Sequence, residues 1–219
     1  MSHQPGAVYD QLATATLVHH DHQPRYRPCG LWPRWRLRLT TLAMLALPIL
    51  SWRFGSEAMA RWSFATGVLL TCLGLGLRLW AAGWLRKHEM LMIDGPYALT
   101  RHPLYLGTGC ITLGQSLMSA LPAAPLLLPA LWLALYRPAM REEEAFLARV
   151  YGEEYAGYQA RVPFLIPWRF SSASLSGEST QDGVARRFSW RQAWRNREYE
   201  AVLTNAVVIA AYGCLSLAR

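Results

Sequence analysis

Charged residues are scarce in this sequence. Only 16% of the 219 residues are charged and 53% are hydrophobic, whereas a soluble domain carries about 25% charged residues. The deficit is concentrated in five apolar runs, of which two are long enough to cross a bilayer alone and three need flanking residues or a thinner bilayer. We therefore predict an all-α, polytopic integral membrane protein with about five transmembrane helices. The runs are residues 39–54, 62–85, 103–121, 123–136 and 201–217.

The sequence also lacks cysteine pairs with the spacing of a metal site and the cysteine framework of a disulfide-rich domain. Three of its four cysteines fall within apolar runs, and Cys29 precedes them. Residues 1–30 lack the apolar core of a signal peptide, and we expect them to form a flexible polar tail. His19, His20 and His22 lie close together in this tail, but we expect no bound metal there.

Positive charge is present in excess. The net charge is +8, almost all of it from arginine, and the arginines cluster before the first run, between the second and third, and between the fourth and fifth. The turn at residues 119–122 carries no charge. Because positive residues stay on the cytoplasmic side of a membrane, we predict a cytoplasmic N-terminus. Since the arginines follow this topology rather than one soluble face, we expect no nucleic-acid partner.

The order of these segments predicts five parts of the chain. After the tail, residues 31–85 form a membrane helical hairpin, and residues 86–170 form a core of a loop, a second hairpin and a polar helix that breaks near Gly152. Residues 171–200 combine a Ser/Gly-rich linker with a basic, Trp-bearing segment suited to the membrane surface. Residues 201–219 form a C-terminal membrane helix.

Two polar clusters adjoin the apolar runs at the same predicted membrane face. The first is GPYALTRHPLYLGTG, residues 95–109, and the second is Arg141 followed by three glutamates, residues 142–144. Glu143 shares a helix face with Phe146 and Leu147, and a carboxylate on a buried face requires a cationic partner or a bound cation. The alternative is a solvated charge run, balanced by Arg137 and Arg141.

Single residues of the first cluster leave similar alternatives open. His102 is either a polar cap at the membrane interface or a ligand-binding group. Gly107 and Gly109 permit either close packing of two membrane helices or close approach of a ligand to the backbone. Arg78, inside the second apolar run, is either a functional residue by virtue of its depth or a side chain that reaches the interface.

Taken together and in order, these residues resemble the isoprenylcysteine carboxyl methyltransferase and phospholipid methyltransferase family of integral membrane enzymes. The resemblance covers residues 87–168. It rests on Gly95-Pro96-Tyr97, on Arg101-His102-Pro103-Leu104-Tyr105-Leu106-Gly107 with Gly109, on Glu143-Glu144 with Leu147, and on Gly152, Tyr155, Tyr158, Val162-Pro163 and Pro167.

The resemblance implies S-adenosylmethionine-dependent methyl transfer from a pocket at the cytoplasmic membrane face to a lipophilic carboxylate, thiol, amine or phospholipid headgroup. It also implies which residues do this work, although the extra Glu142 leaves open which two glutamates form the family pair. The implied catalytic residues are Arg101, Arg141 and Glu144. Those implied for the cofactor are His102, Pro103, Tyr105, Leu106, Gly107, Gly109, Glu143 and Glu144, and those for the acceptor are Tyr97 and Tyr155.

Two other functions remain open from the sequence. Sterol-type membrane reductases that use NADPH resemble this family in their helical core, and a non-enzymatic membrane scaffold would keep the same helices. The Arg- and Ala-rich composition is typical of a bacterial protein, so we expect the inner membrane as its location, with membrane lipids and a lipophilic small molecule or lipid as its partners. The sequence does not indicate an oligomeric state.

Overall fold

The part of the chain that the structure describes is built from helices. The computed structural model describes residues 32–86, 90–168 and 187–217, except for the side chains of residues 32–39, 41, 44, 45 and 57–61, and those ranges contain no β-strand. The all-α prediction is confirmed, while the predicted tail at residues 1–30 and most of the predicted linker lie outside the described residues. The helices are α1 Trp32–Phe54, α2 Glu57–Trp84, α3 Pro96–Leu99, α4 Pro103–Met118, α5 Ala124–Arg161, α6 Trp190–Arg195 and α7 Glu198–Leu217.

Two of the described helices are long and apolar enough to cross a membrane. They are residues Trp62–Trp84 of α2, with mean hydropathy 1.5, and Glu198–Leu217, with mean hydropathy 1.6. Only 22% and 17% of these spans are buried inside the protein, so most of their apolar surface faces outward, as in a helix surrounded by lipid. The remaining predicted crossings correspond to α1, to the 16-residue α4 and to the start of α5, and the total of five stays a prediction.

Helices α2 and α4 pack closely because glycines line their contact. A Cβ added to Gly107 would lie 2.7 Å from the carbonyl oxygen of Gly74, and one added to Gly114 would lie 2.6 Å from that of Gly67. Small residues at this spacing let two helix backbones approach, as is common between membrane helices. This contact fixes the direction of α4, whose first residues carry the polar cluster.

Helix α5 contains both the fourth apolar run and the cluster of three glutamates, with no break between them. It begins at Ala124, contains the fourth predicted crossing and continues through the three glutamates as far as Gly152. Gly152 has φ 49° and ψ −121°, a conformation that L-residues rarely adopt, so the predicted break there is confirmed. The last turns of the helix, after this break, carry Tyr155 and Tyr158 back toward α3 and α4.

The C-terminal helices pack on α2 and α4. One face of α7 is buried and carries Glu198, Asn205, Val208 and Tyr212. Asn205 accepts a hydrogen bond from the Gln115 amide of α4 at 2.7 Å, and pairs of this kind hold membrane helices together. The C-terminal helix is therefore attached to the core through polar as well as apolar contacts.

Candidate functional site

The start of α4 is anchored to the segment that follows α5. The amide of Arg101 donates to the carbonyl of Pro163 at 3.0 Å, and the Thr100 hydroxyl donates to the carbonyl of Leu165 at 2.8 Å. His102 precedes Pro103, the first helical residue, where proline is favoured because its fixed φ suits a helix start. As a result, Arg101 and His102 are held at a buried junction between two segments, and His102 is only 4% exposed.

Glu144 of α5 faces this junction. Its Oε1 atom lies 3.2 Å from Arg101 Nη1 and 3.4 Å from His102 Nε2. These are ion-pair distances, yet none of the three buried atoms makes a well-aligned hydrogen bond within the described protein. The three groups thus retain hydrogen-bonding capacity that a bound polar molecule can use.

The electrostatic environment keeps Glu144 ionised. Burial by itself raises the pKa of its carboxyl group, but the N–H of His102 facing the carboxylate and the positive charge of Arg101 outweigh this effect, and the pKa falls below its ordinary value. Tyr155 also interacts with this carboxylate. Glu144 is therefore a negative charge in a partly desolvated site at neutral pH.

Two tyrosines behind Glu144 stay protonated. Burial raises the pKa of both Tyr155 and Tyr158, and each is raised further by neighbouring groups that include Glu144 and Glu143. The Tyr158 hydroxyl donates to the backbone carbonyl of Tyr97 at 2.7 Å. This bond connects the end of α5 to α3, so the two predicted clusters share one rigid junction.

A cavity of about 630 Å³ opens beside Glu144, within the usual range for small-molecule sites. Three arginines and one glutamate give its wall a net positive charge. An aromatic cluster lies at one side, where the ring of His102 meets those of Phe164 at 5.0 Å and Tyr105 at 5.6 Å. The cavity is lined by Arg101, Arg137, Arg141, Glu144, Ala145, Ala148, Tyr155, Gln159 and Phe164.

The structure brings some of the implied site residues to this cavity. All three implied catalytic residues and the implied acceptor residue Tyr155 line it, and His102 and Tyr105 lie directly behind the wall. The sequence analysis named Arg137 beside the glutamates without choosing it as a site residue, and it missed Gln159 and Phe164. The place of Arg137 on the wall could have been predicted, since positions 137, 141, 144 and 148 recur on one helix face. Phe164 follows the helix, and its place depends on how the chain folds back.

Other implied residues lie away from the cavity wall. Gly107 faces Arg78 and Gly74 of α2, while an added Cβ on Gly109 would lie 2.9 Å from the Trp132 ring. Close packing of helices accounts for glycine at both positions. Their implied cofactor roles, with those of Pro103, Leu106 and Glu143, and the acceptor role of Tyr97, stay predictions.

The position of Glu143 differs from that of Glu144. Burial is the main cause that raises the pKa of Tyr97, followed by the negative charge of Glu143, so Glu143 is near enough to α3 to act on it electrostatically. Among the three consecutive glutamates, only Glu144 lines the cavity described above. The geometry thus favours Glu144 as the member of the family pair that faces a ligand.

Comparison with known proteins confirms the resemblance. Residues 62–154 match the family model of the phospholipid methyltransferases. A cobalt-zinc-cadmium resistance protein CzcN from Cupriavidus metallidurans is 37% identical over 116 residues, which cover 52% of this chain and 50% of that protein. The protein-S-isoprenylcysteine O-methyltransferase of Mus musculus is 31% identical over 119 residues, or 49% of this chain and 42% of the enzyme.

The enzyme of the same name from Schizosaccharomyces pombe is 32% identical over 81 residues, covering 37% of this chain and 34% of that protein. The chain thus spans half or less of the length of these curated relatives. A search of solved structures finds no significant match. The matched region contains most of α2, all of α3 and α4, and the part of α5 that carries Glu144.

Proposed function

We propose that this protein, whose residues 62–154 match the family model of the phospholipid methyltransferases, transfers a methyl group from S-adenosylmethionine to a lipophilic acceptor at the cytoplasmic membrane face. The observation that carries the proposal is the position of Glu144. Its carboxylate lies between Arg101 and His102 on the wall of a 630 Å³ cavity, within the region that matches the family.

The residues of the cavity fit S-adenosylmethionine. This molecule carries an ammonium, a sulfonium and a carboxylate, and when bound it supplies an activated methyl group. Glu144 provides a charge-assisted acceptor for the ammonium, while Arg101, Arg137 and Arg141 offer donors for the carboxylate. Four atoms at this point, two on Arg101 and one each on His102 and Glu144, are buried without a well-aligned hydrogen bond, which is the arrangement expected of groups that bind a ligand.

The protein contributes binding and orientation to the reaction. Methyl transfer is an in-line displacement, so a large part of the rate comes from holding acceptor and donor in alignment. The rigid junction formed by the Arg101 amide, the Thr100 hydroxyl and residues 163–165 supports the side chains that do this. The His102, Tyr105 and Phe164 rings shield one side of the cavity from water, and weaker hydration favours loss of the sulfonium charge as the methyl group leaves.

A lipophilic acceptor fits the surroundings of the site. The cavity lies where the apolar first part of α5 gives way to its polar part, so an acceptor embedded in lipid reaches it without crossing water. Trp190 and Trp194 are 70% and 68% exposed on a short helix that also carries Arg191 and Arg195, as expected for a segment at the lipid headgroups. The proposed location is a bacterial inner membrane, with the site and the N-terminus cytoplasmic.

Labelling of native lipids tests the proposed function. The purified protein is incubated with bacterial lipid extract and isotopically methyl-labelled S-adenosylmethionine, and products are identified by mass spectrometry. We expect a labelled lipophilic product that is absent with the Glu144→Gln variant. Isothermal titration with NADPH and with S-adenosylmethionine is run in parallel. Binding of NADPH alone would favour a reductase, and binding of neither would favour a scaffold; either result would overturn the proposal.

The acid sensitivity of the site gives a further prediction. Because the folded pKa of Glu144 is lowered, its contribution to stability and cofactor affinity is present above the unfolded pKa and is lost as pH falls through the folded pKa. Arg101→Gln removes one of the charges that lower this pKa. We therefore expect cofactor affinity and the thermal unfolding midpoint of this variant to decline at a higher pH than in the wild type.

The matched control is Arg149→Gln on α5, the helix that carries Glu144. The exposed guanidinium of Arg149 donates to the carbonyl of Ala145 one turn earlier. Titration calorimetry and thermal unfolding, each repeated over the acidic range, measure the effect. Identical acid profiles for Arg101→Gln and Arg149→Gln would show that Arg101 does not set the ionisation of Glu144.

A further inference from the structure

The guanidinium of one partly buried arginine, whose side chain is 23% exposed, joins three helices. Arg78 of α2 makes a bidentate contact with Glu198 at the start of α7, with Nε 3.0 Å from Oε2 and Nη2 2.9 Å from Oε1. Its remaining terminal nitrogen, Nη1, donates to the Thr108 hydroxyl of α4 at 2.6 Å. The Glu198 side chain is only 8% exposed. Each of the three guanidinium nitrogens of Arg78 thus donates to a side chain of another helix.

Stability alone is a weak reason for such an arrangement. Removing two charges from water costs free energy that their attraction often fails to recover, and well-packed apolar residues at the same place are often as stable or more so. What a bidentate arginine–carboxylate pair does supply is a defined geometry. The Arg78–Glu198 pair is therefore better explained by the helix positions that it fixes than by a contribution to stability.

Glu198 is itself held in place by the segment before it. The Asn196 amide donates to the carbonyls of Ala82 and Leu85 at 2.8 and 3.1 Å, and the Gln192 amide donates to Leu85 at 2.9 Å. These bonds satisfy carbonyls at the end of α2, which have no partner within the helix. The approach of α7 to Arg78 is consequently fixed on the α2 side.

The Arg78–Glu198 pair lies next to two elements of the candidate site, helix α4 and Tyr97 of α3. Thr108 lies less than two turns after His102 on α4, and an added Cβ on Gly107 would lie 2.6 Å from Arg78 Cγ, so the arginine stem packs directly on this helix. Tyr97 of α3 also lies within reach of the two charges. Burial, Glu143 and Tyr158 are the larger causes that raise the pKa of Tyr97; the charge of Glu198 adds to them, and that of Arg78 opposes them.

We propose that Glu198 is a positioning residue for the methyltransferase site, acting by orienting Arg78, which through Thr108 fixes the angle at which α4 presents His102 to Glu144. Glu198 lies outside the region that matches the family, residues 62–154. The proposal assigns the C-terminal segment to the working unit of the protein. It rests on the proposed function for its effect on S-adenosylmethionine, but its structural step can be measured without that ligand.

The test compares four variants of the full chain in lipid nanodiscs. Arg78→Met/Glu198→Met replaces the pair with apolar side chains and is chosen because a lone buried charge prevents folding more often than the loss of both. Thr108→Val keeps the ion pair but removes its bond to α4, and Glu198→Gln is the conservative variant. Glu200→Gln is the control, since the Arg197–Glu200 pair is exposed.

Two readouts separate position from stability. The double variant and Thr108→Val should keep the thermal unfolding midpoint of the wild type while S-adenosylmethionine affinity falls about tenfold, because small displacements of binding groups are costly. Glu198→Gln, which retains one oxygen acceptor, should lose less. Without ligand, hydrogen–deuterium exchange at residues 104–109 should accelerate in the first two variants and stay unchanged at residues 114–118.

The outcomes distinguish the two proposals. Wild-type affinity and wild-type exchange at residues 104–109 in the double variant would show that the pair has no positioning role. If the wild type binds no S-adenosylmethionine, the proposed function fails, and the exchange measurement alone decides whether the pair orients α4. A change in Glu200→Gln equal to that in Thr108→Val would also reject the specific role of Arg78 and Glu198.

Discussion

Glu144→Gln is expected to lower the affinity for S-adenosylmethionine by about 100-fold, since removing one partner of a buried charged pair costs roughly 2–5 kcal/mol. The substitution preserves the shape of the side chain but removes the charge that faces Arg101 and His102 at 3.2 and 3.4 Å. It thereby removes the acceptor for the ligand ammonium and leaves the Arg101 guanidinium without its counter-ion. Isothermal titration with purified protein in nanodiscs measures the loss.

Two other glutamates of α5 serve as comparisons. Glu153→Gln is the control, because Glu153 is exposed and lies beyond the Gly152 break. Glu143→Gln tests which residues of the triplet form the family pair, and we expect a smaller loss since Glu143 does not line the cavity. Affinity within threefold of the wild type for Glu144→Gln, or a larger loss for Glu153→Gln, would reject Glu144 as the ligand-facing carboxylate.

Gly114→Ala should destabilise the protein by about 1–3 kcal/mol, the usual cost of overpacking a well-packed interior. The new methyl group would lie 2.6 Å from the Gly67 carbonyl oxygen and 2.8 Å from the Thr71 backbone nitrogen, and it would also overlap the Thr71 hydroxyl. Backbone atoms of a neighbouring helix move only if the helix moves. We therefore expect α4 to be displaced from α2, with a lower thermal unfolding midpoint and less monodisperse protein in size-exclusion chromatography.

The matched control uses another helical glycine. Gly76→Ala, on the outward face of α2, adds a methyl group with nothing within 4 Å, and alanine has the higher helix propensity. Its unfolding midpoint should equal or exceed that of the wild type. A Gly114→Ala variant as stable as Gly76→Ala would mean that the two helices do not approach as closely as described.

The course of the helices was largely predictable from sequence, but their junctions were not. The apolar run that ends near Tyr136 and the polar helix that contains the glutamates were recognised as separate features, because hydropathy changes sharply between them. The structure shows one helix that runs from Ala124 through the glutamates without interruption as far as Gly152. Hydropathy reports the surroundings of a segment, and the backbone hydrogen bonds that continue a helix do not depend on that change.

The candidate site was predictable where its residues lie close in sequence or share a helix face. Arg101, His102 and Glu144 belong to motifs that can be read locally. The partner of Arg78 was not foreseen, since Glu198 is 120 positions away and only the packing of α7 brings it near. Phe164 was not predicted for the same reason. Its ring lies beside His102 only because the chain folds back after Arg161.

The unbroken first part of α5 has a consequence for the depth of the site. From Ala124 to Glu144 is about 20 residues, which at 1.5 Å per residue is about 30 Å, close to the thickness of the hydrocarbon layer of a bilayer. If α5 crosses the bilayer as predicted, this length fixes the depth of the Glu144 carboxylate in the membrane. Under the proposed function, an acceptor would be methylated only when its reactive atom lies at that depth.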